Sequence, residues 1–312
     1  MSLASGVDAH VTELDSQQEQ APAAGELVGM PAERVSYHGW PDCYLLANGF
    51  VEAVVVPAIG RVMQFRLAGD AAGTFWENRA LDGQLHDPAA GEWLNFGGDK
   101  CWPAPQIGWA HHLGRDWPPP LAFDSSPMEA VSTPRGVLMT SPIDSAYGIQ
   151  VARHVELAAD LPVLRIRTEF HKLAGSAVRV GIWTVTQMQD AERVCALLPA
   201  QSEFPDGYIR LMPAEPAGLR IGPHWLSLVR HPSESVKIGT QASSLLWVGS
   251  ACTVRIDAET GPGEYPDGGC VTEIYTNPGE LGYVELETLG PLVTLNAGDR
   301  IERTTLYTIT RA

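Results

Sequence analysis

Asn95-Phe96-Gly97-Gly98-Asp99-Lys100-Cys101-Trp102-Pro103-Ala104-Pro105-Gln106-Ile107-Gly108-Trp109 is the most informative stretch of this chain. Gly97-Gly98 permits tight backbone approach, Pro103 and Pro105 stiffen the backbone around them, and Trp102 and Trp109 supply large flat apolar faces. Asp99, Lys100 and Gln106 set charged and amide groups among those rings. Stacking platforms beside planar hydrogen-bonding groups are what recognition of a pyranose ring requires. The pattern extends to Trp93 on one side and to His111, His112, Arg115, Asp116 and Trp117 on the other, so that four of the nine tryptophans fall between Trp93 and Trp117. From Asp82 to Pro127 there is little regular period, and so long an irregular stretch in a compact domain reads as a ligand-facing loop. The structural alternative is that these tryptophans plug one open end of a β-sandwich.

Outward from this stretch, short apolar or alternating runs recur and read as strands: Val51–Val56, Val137–Thr140, Leu164–Phe170, Val178–Gln187, Leu245–Val248, Val271–Asn277, Tyr283–Leu289 and Thr304–Thr310. Turn signals such as Ala68-Gly69-Asp70, Pro205-Asp206-Gly207 and Asp267-Gly268-Gly269 separate them. Among 312 residues, 31 Gly and 24 Pro suit many turns and short strands better than a helical bundle. The expectation is an all-β domain over 35–312, preceded by a flexible, acidic, Ala/Gln-rich leader over 1–34.

The net charge of −16 disfavours nucleic acid and anionic membrane surfaces as partners. No run of about 18 apolar residues is present to span a membrane as a helix. The five cysteines Cys43, Cys101, Cys195, Cys252 and Cys270 lack CxxC spacing, and His111 and His112 lack a third ligand at metal-binding distance in sequence, so no metal site is expected. The odd cysteine count leaves a thiol free, as in a reducing compartment, and the start of the chain lacks a secretory pattern. The compartment is open between cytoplasmic and periplasmic, and the oligomeric state is not encoded in any motif. Nucleophile-elbow, P-loop and dinucleotide fingerprints are missing, which argues against covalent hydrolase and nucleotide-binding classes.

Gly97-Gly98-Asp99-Lys100-Cys101-Trp102-Pro103 resembles the Gly-Gly-x-x-x-Trp-Pro segment of hexose-phosphate mutarotases. The longer run through Pro105-Gln106 and Trp109 is similar to a group of uncharacterised bacterial domains in the galactose-mutarotase-like (aldose epimerase) superfamily. Asn48-Gly49 to Gly60-Arg61-Val62, Trp183 to Gln187 and Tyr283 to Glu287 resemble further parts of it, together spanning most of Trp40 to Arg311. The resemblance implies a supersandwich of two large antiparallel sheets, sugar bound on a concave face, no cofactor, and a histidine acid with a glutamate base that open the ring by general acid/base transfer.

Against that pattern, Gly181-Ile182-Trp183-Thr184-Val185-Thr186-Gln187 carries no histidine where the resemblance expects one. Alternation puts Trp183, Val185 and Gln187 on one face, and neither Trp nor Gln transfers a proton at ordinary pH. A substitute acid could come from His111, from His112, or from His154 on the strand Gln150–Leu157. For the base, Glu273 shares a face with Tyr275 and Asn277, while Glu285 and Glu287 share a face with Tyr283; a hairpin between these strands would set the carboxylates side by side and raise their pKa. Arg61, Asp99, Lys100, Trp102, Gln106, Trp109, Trp117, Trp183, Gln187, Tyr275 and Glu285 are the candidate contacts to a mono- or oligosaccharide. The sequence supports an aldose-epimerase-type isomerase, with a non-catalytic sugar-binding or sensing module, and a lyase or glycoside hydrolase, as alternatives.

Overall fold

The computed structural model describes residues 28–87 and 91–312. Their strands, numbered in chain order, form two antiparallel sheets. The first follows the spatial order β1 (Glu33–Tyr37), β2 (Trp40–Ala47), β3 (Val51–Val56), β4 (Arg61–Leu67), β5 (Asp99–Ala104), β10 (Val178–Gln189), β19 (Tyr283–Leu289), β18 (Thr272–Thr276), β15 (Val236–Thr240) and β12 (Tyr208–Arg210), with β20 (Val293–Leu295) against the start of β10. The second runs β13 (Arg220–Ile221), β14 (Trp225–Leu228), β11 (Arg193–Leu197), β16 (Ser244–Val248), β17 (Cys252–Ala258), β21 (Arg300–Arg311), β9 (Val163–Lys172), β8 (Ile149–Leu157), β7 (Gly136–Thr140) and β6 (Glu129–Thr133). The all-β, two-sheet expectation is met, and each of the eight apolar runs lies on a strand. Of the leader expected over 1–34, residues 1–27 lie outside the described residues; β1 begins at Glu33, and Gly29 pairs with Ala158.

The strands form where the pattern alternates because one face of each sheet must leave water. Ile182 of β10, Leu286 of β19 and Ile274 of β18 meet Leu164 and Ile166 of β9 and Tyr307 and Ile309 of β21 in one buried cluster. Burying each such aliphatic side chain contributes about 1.5–3 kcal/mol. Phe65 and Phe75 pack edge-on against the Tyr307 ring, tying the two layers together.

The irregular loop expected from Asp82 to Pro127 is corrected in part. Asp99–Ala104 is a buried central strand, hydrogen-bonded to β10 along its length. Proline disguised it, since Pro is depleted from strand interiors. Here β5 meets its other neighbour, β4, only at Val62 opposite Asp99, so Pro103 sits where one side of the ladder is unpaired. Gly97 and Gly98 launch the strand with positive φ of 94° and 68°. A Cβ at Gly97 would fall 2.2 Å from the Trp76 carbonyl oxygen, and one at Gly98 would fall 2.6 Å from that of Val62. Only glycine fits this approach.

Asp99 is also corrected: it faces the second sheet and not a ligand. Its carboxylate pairs with Arg153 of β8 and accepts from Tyr307 (2.7 Å) and Thr186 (2.8 Å). All four side chains are buried. Removing one partner of a buried ion pair strands the other, at a cost of about 3–5 kcal/mol. Asp99→Ala is therefore expected to lower unfolding free energy by about that amount; urea titration with an unchanged m-value would confirm it, and a loss below about 1 kcal/mol would refute the assigned clamp.

Candidate functional site

Side-chain alternation turns every second residue of five adjacent strands away from the second sheet. Lys100 of β5 lies beside Val185 of β10, which lies beside Glu287 of β19 and then Glu273 of β18. One pleat further on, Gln187 of β10 is followed by Glu285 of β19, Tyr275 of β18 and Lys237 of β15. Two lysines and three glutamates thereby share one sheet face. The Lys237 ammonium stands 2.6 Å from Glu273 and 3.0 Å from Glu287, and Lys100 stands 3.8 Å from Glu285.

Removal from water dominates the chemistry of this row. Burial, reinforced by neighbouring Glu287 and Asp267, raises the Glu273 carboxyl to about 8. Burial raises Glu285 to about 7, with Glu287 adding to the effect and Lys100 opposing it. Lys100 falls to about 8 because burial disfavours its charge more than Glu285 favours it. At Lys237 burial also acts against the charge, but Glu287 and Glu273 outweigh it and keep the side chain an ammonium above its ordinary range. Carboxylates made stronger bases at Glu273 and Glu285, beside an ammonium made a stronger acid at Lys100, are the arrangement that proton transfer near neutral pH requires.

Aromatic rings wall this row. The Trp183 indole donates to Glu287 (2.7 Å) and lies under the Lys237 ammonium, 4.7 Å from the ring centre. Lys100 lies 5.0 Å from the centre of Trp102. These cation–π contacts stabilise charges that have lost their water. Asp124, on the helical turn Leu121–Asp124, accepts from Arg61 (3.0 Å), Trp102 (2.9 Å) and Trp93 (3.2 Å), and so fastens the irregular segment to the sheet. Trp117 packs nearly parallel on Trp109 and edge-on to Trp93 and Trp102.

The structure thus brings together Lys100, Trp102, Trp183, Gln187, Glu273, Tyr275 and Glu285. It departs from the sequence-based expectation in which groups remain accessible. Trp102 and Trp109 are sealed at 3% and 0% exposure, because the neighbouring indoles and the Asp124 turn close over them; Trp117, at 42%, presents an open ring. Arg61 is wholly buried, donating to the Gly97 carbonyl and to Asp124, and is a brace for the segment and not a free sugar contact. Glu273 is buried at 1%, beneath Lys237, so the glutamate that reaches solvent is Glu285, whose side chain is 11% exposed.

Of the histidines, His154 lies on β8 in the other sheet, bound to Glu169 (3.1 Å), too far round the sandwich to serve this face. His111 is exposed on the short helix Trp109–Leu113, against His112, which packs on Tyr147. Gln106 occupies the half-exposed turn Gln106–Gly108. Three participants are not evident from sequence patterning: Lys237, Asp124 and Asp267. The alternation Val236-Lys237-Ile238 is a usable signal for the first; the other two sit in irregular segments where no period marks orientation.

The shifted groups predict a pH dependence of stability. Glu273 and Glu285 hold their protons in the folded state above the range in which an unfolded glutamate, near 4.5, has lost them. The folded state then binds more protons, so stability falls as pH rises from about 4.5 to about 8. Lys100 adds the opposite trend from about 8 to 10.5, where only the unfolded chain keeps the proton. Urea midpoints should decline between pH 5.5 and 8, and Glu273→Gln should flatten that decline; an equal slope in the variant would contradict the assignment.

No protein-family model and no curated protein matches the chain. Solved structures do. A candidate aldose 1-epimerase from Escherichia coli K12 aligns with a TM-score of 0.58 at 13% identity, covering 86% of this chain and 99% of that one. A galactose mutarotase-like protein from Clostridium acetobutylicum aligns with a TM-score of 0.58 at 9% identity, covering 91% and 99%. Another from Lactobacillus casei gives 0.56 at 8%, covering 86% and 100%. With its two large antiparallel sheets and few helices, the chain has the galactose-mutarotase-like sandwich fold.

Proposed function

We propose that this protein binds a free or terminal sugar over the outward face of β10, β19 and β18 and interconverts its anomers without a cofactor. The observation that carries this reading is Glu285: a carboxyl poised near neutral pH, flanked by Lys100 and Lys237, at the solvent-reaching edge of an otherwise sealed row. Trp117 stacks on the C–H face of the ring, and Tyr275, half-buried beside Glu285, contacts a hydroxyl. Glu285 takes the proton of the anomeric hydroxyl and the bond from C1 to the ring oxygen opens. Lys237, which keeps its charge, donates a hydrogen bond to the departing ring oxygen, and solvent supplies that oxygen's proton. Rotation about C1–C2 and closure along the reverse path give the other anomer. The names of the structural neighbours support sugar as the ligand.

The substrate is an uncharged sugar in this reading. Every cation on the face is already matched: Arg61 by Asp124, Lys237 by Glu273 and Glu287, Lys100 by Glu285. A phosphate would add negative charge to a face that already carries three glutamates, so a hexose phosphate should bind no more tightly than the parent hexose.

A second reading, sugar binding without catalysis, is favoured by Trp183, which stands on the strand where a histidine acid was expected and ties up Glu287. One experiment separates the two. Saturation transfer between the anomeric resonances of aldoses should show acceleration that grows as pH rises through about 7, as Glu285 ionises. Glu285→Gln should slow exchange by about 100-fold or more while sugar still binds. Binding with no acceleration for any aldose would leave only the second reading. Trp117→Ala should weaken sugar binding about three- to tenfold with little loss of stability. Trp109→Ala should instead cost about 3–5 kcal/mol of stability.

A further inference from the structure

Arg303 of β21 points between the sheets at one end of the sandwich and is 4% exposed. The other described buried arginines on the inner and outer faces of the sheets have carboxylate partners, Arg153 with Asp99 and Arg61 with Asp124. Arg303 does not: its Nε and Nη2 make no hydrogen bond. Those two nitrogens form one edge of the guanidinium, and their parallel N–H bonds are spaced for the two oxygens of a carboxylate. Tyr265 hydrogen-bonds the guanidinium away from that edge, and Glu259 adds negative potential. Glu259 is otherwise engaged, accepting from the Thr304 amide (3.1 Å), and Glu302 pairs with Arg167.

The same guanidinium lines a cavity of about 190 Å³, walled on its apolar side by Ile182, Pro291, Val293 and Ile301. A cavity of about 150 Å³ is enough to bind benzene, so this one suits a ligand of roughly six to eight non-hydrogen atoms. An arginine cannot shed its charge, and a buried unpaired charge is costly. A bound carboxylate would complete both valences of the free edge while its carbon chain filled the apolar part. Glu259, Thr260, Gly261, Gly290 and Glu302 complete the lining.

We infer that this end of the sandwich is a binding site for a small monocarboxylate, distinct from the sugar face, in which Arg303 grips the carboxylate and Ile182, Pro291, Val293 and Ile301 hold the hydrocarbon part. On β10 the neighbouring residues Ile182 and Trp183 point to opposite faces, so the two sites lie on opposite sides of one strand.

The test is titration of the intact protein with hexanoate, followed by calorimetry and by thermal unfolding at constant ionic strength. Hexanoate should bind saturably and raise the unfolding temperature, while its neutral isostere hexanamide and inorganic phosphate should do neither. Arg303→Met, which fills similar volume without charge, should weaken hexanoate binding about tenfold or more, the loss expected for a bidentate charge-assisted contact. Absence of hexanoate binding, or hexanamide binding as tightly as hexanoate, would overturn the site; phosphate binding as tightly would overturn its assignment to carboxylates. The wild-type comparison of acid with amide decides the matter even if Arg303→Met fails to fold.

Discussion

The buried ion pair between Asp99 and Arg153 is the constraint on which the rest of the molecule hangs. It joins a central strand of one sheet to β8 of the other, with Tyr307 and Thr186 completing the carboxylate's hydrogen bonds. In a medium where unpaired charge is heavily penalised, such a network tolerates one register only. Fixing Asp99 inward fixes Lys100 outward, since neighbouring residues of a strand point to opposite faces. The position of the first residue of the ionisable row is thus a consequence of how the sheets are clamped.

The row itself shows how a sheet face can hold five ionisable groups with little water. Each ammonium is matched by carboxylates, each lysine lies against an indole, and the excess of carboxylate over ammonium is relieved by protonation. Burial, the largest influence on both groups, brings Glu285 to about 7 and Lys100 to about 8. Burial that costs stability is thereby also what moves these groups towards neutrality. The tryptophans are mostly the wall that excludes water, and Trp117 alone of the four in the long segment keeps a widely open ring.

Much of this was legible in the residues. The glycine pair, the period-two runs and the turn residues specified strands and their boundaries because backbone torsion and one-sided burial are local properties. That Glu285 shares a face with Glu287, and Glu273 with Tyr275, also followed from alternation alone. The expected supersandwich matches the fold shared with the solved structures. The strand at Asp99–Ala104 was hidden by its proline, whose missing donor is harmless only because β4 leaves that side of the ladder unpaired.

Sequence by itself determined which residues share a face and that the chain folds into two β layers, because both follow from a period of two and from where apolar side chains must go. Tertiary structure decided which of those residues meet water. Whether Trp102 or Trp117 is open, whether Glu273 or Glu285 reaches solvent, and whether Arg303 has a partner depend on segments far apart in the chain being laid over one another. No local pattern records that, because exposure and pairing are properties of the packed assembly of strands and not of any one of them.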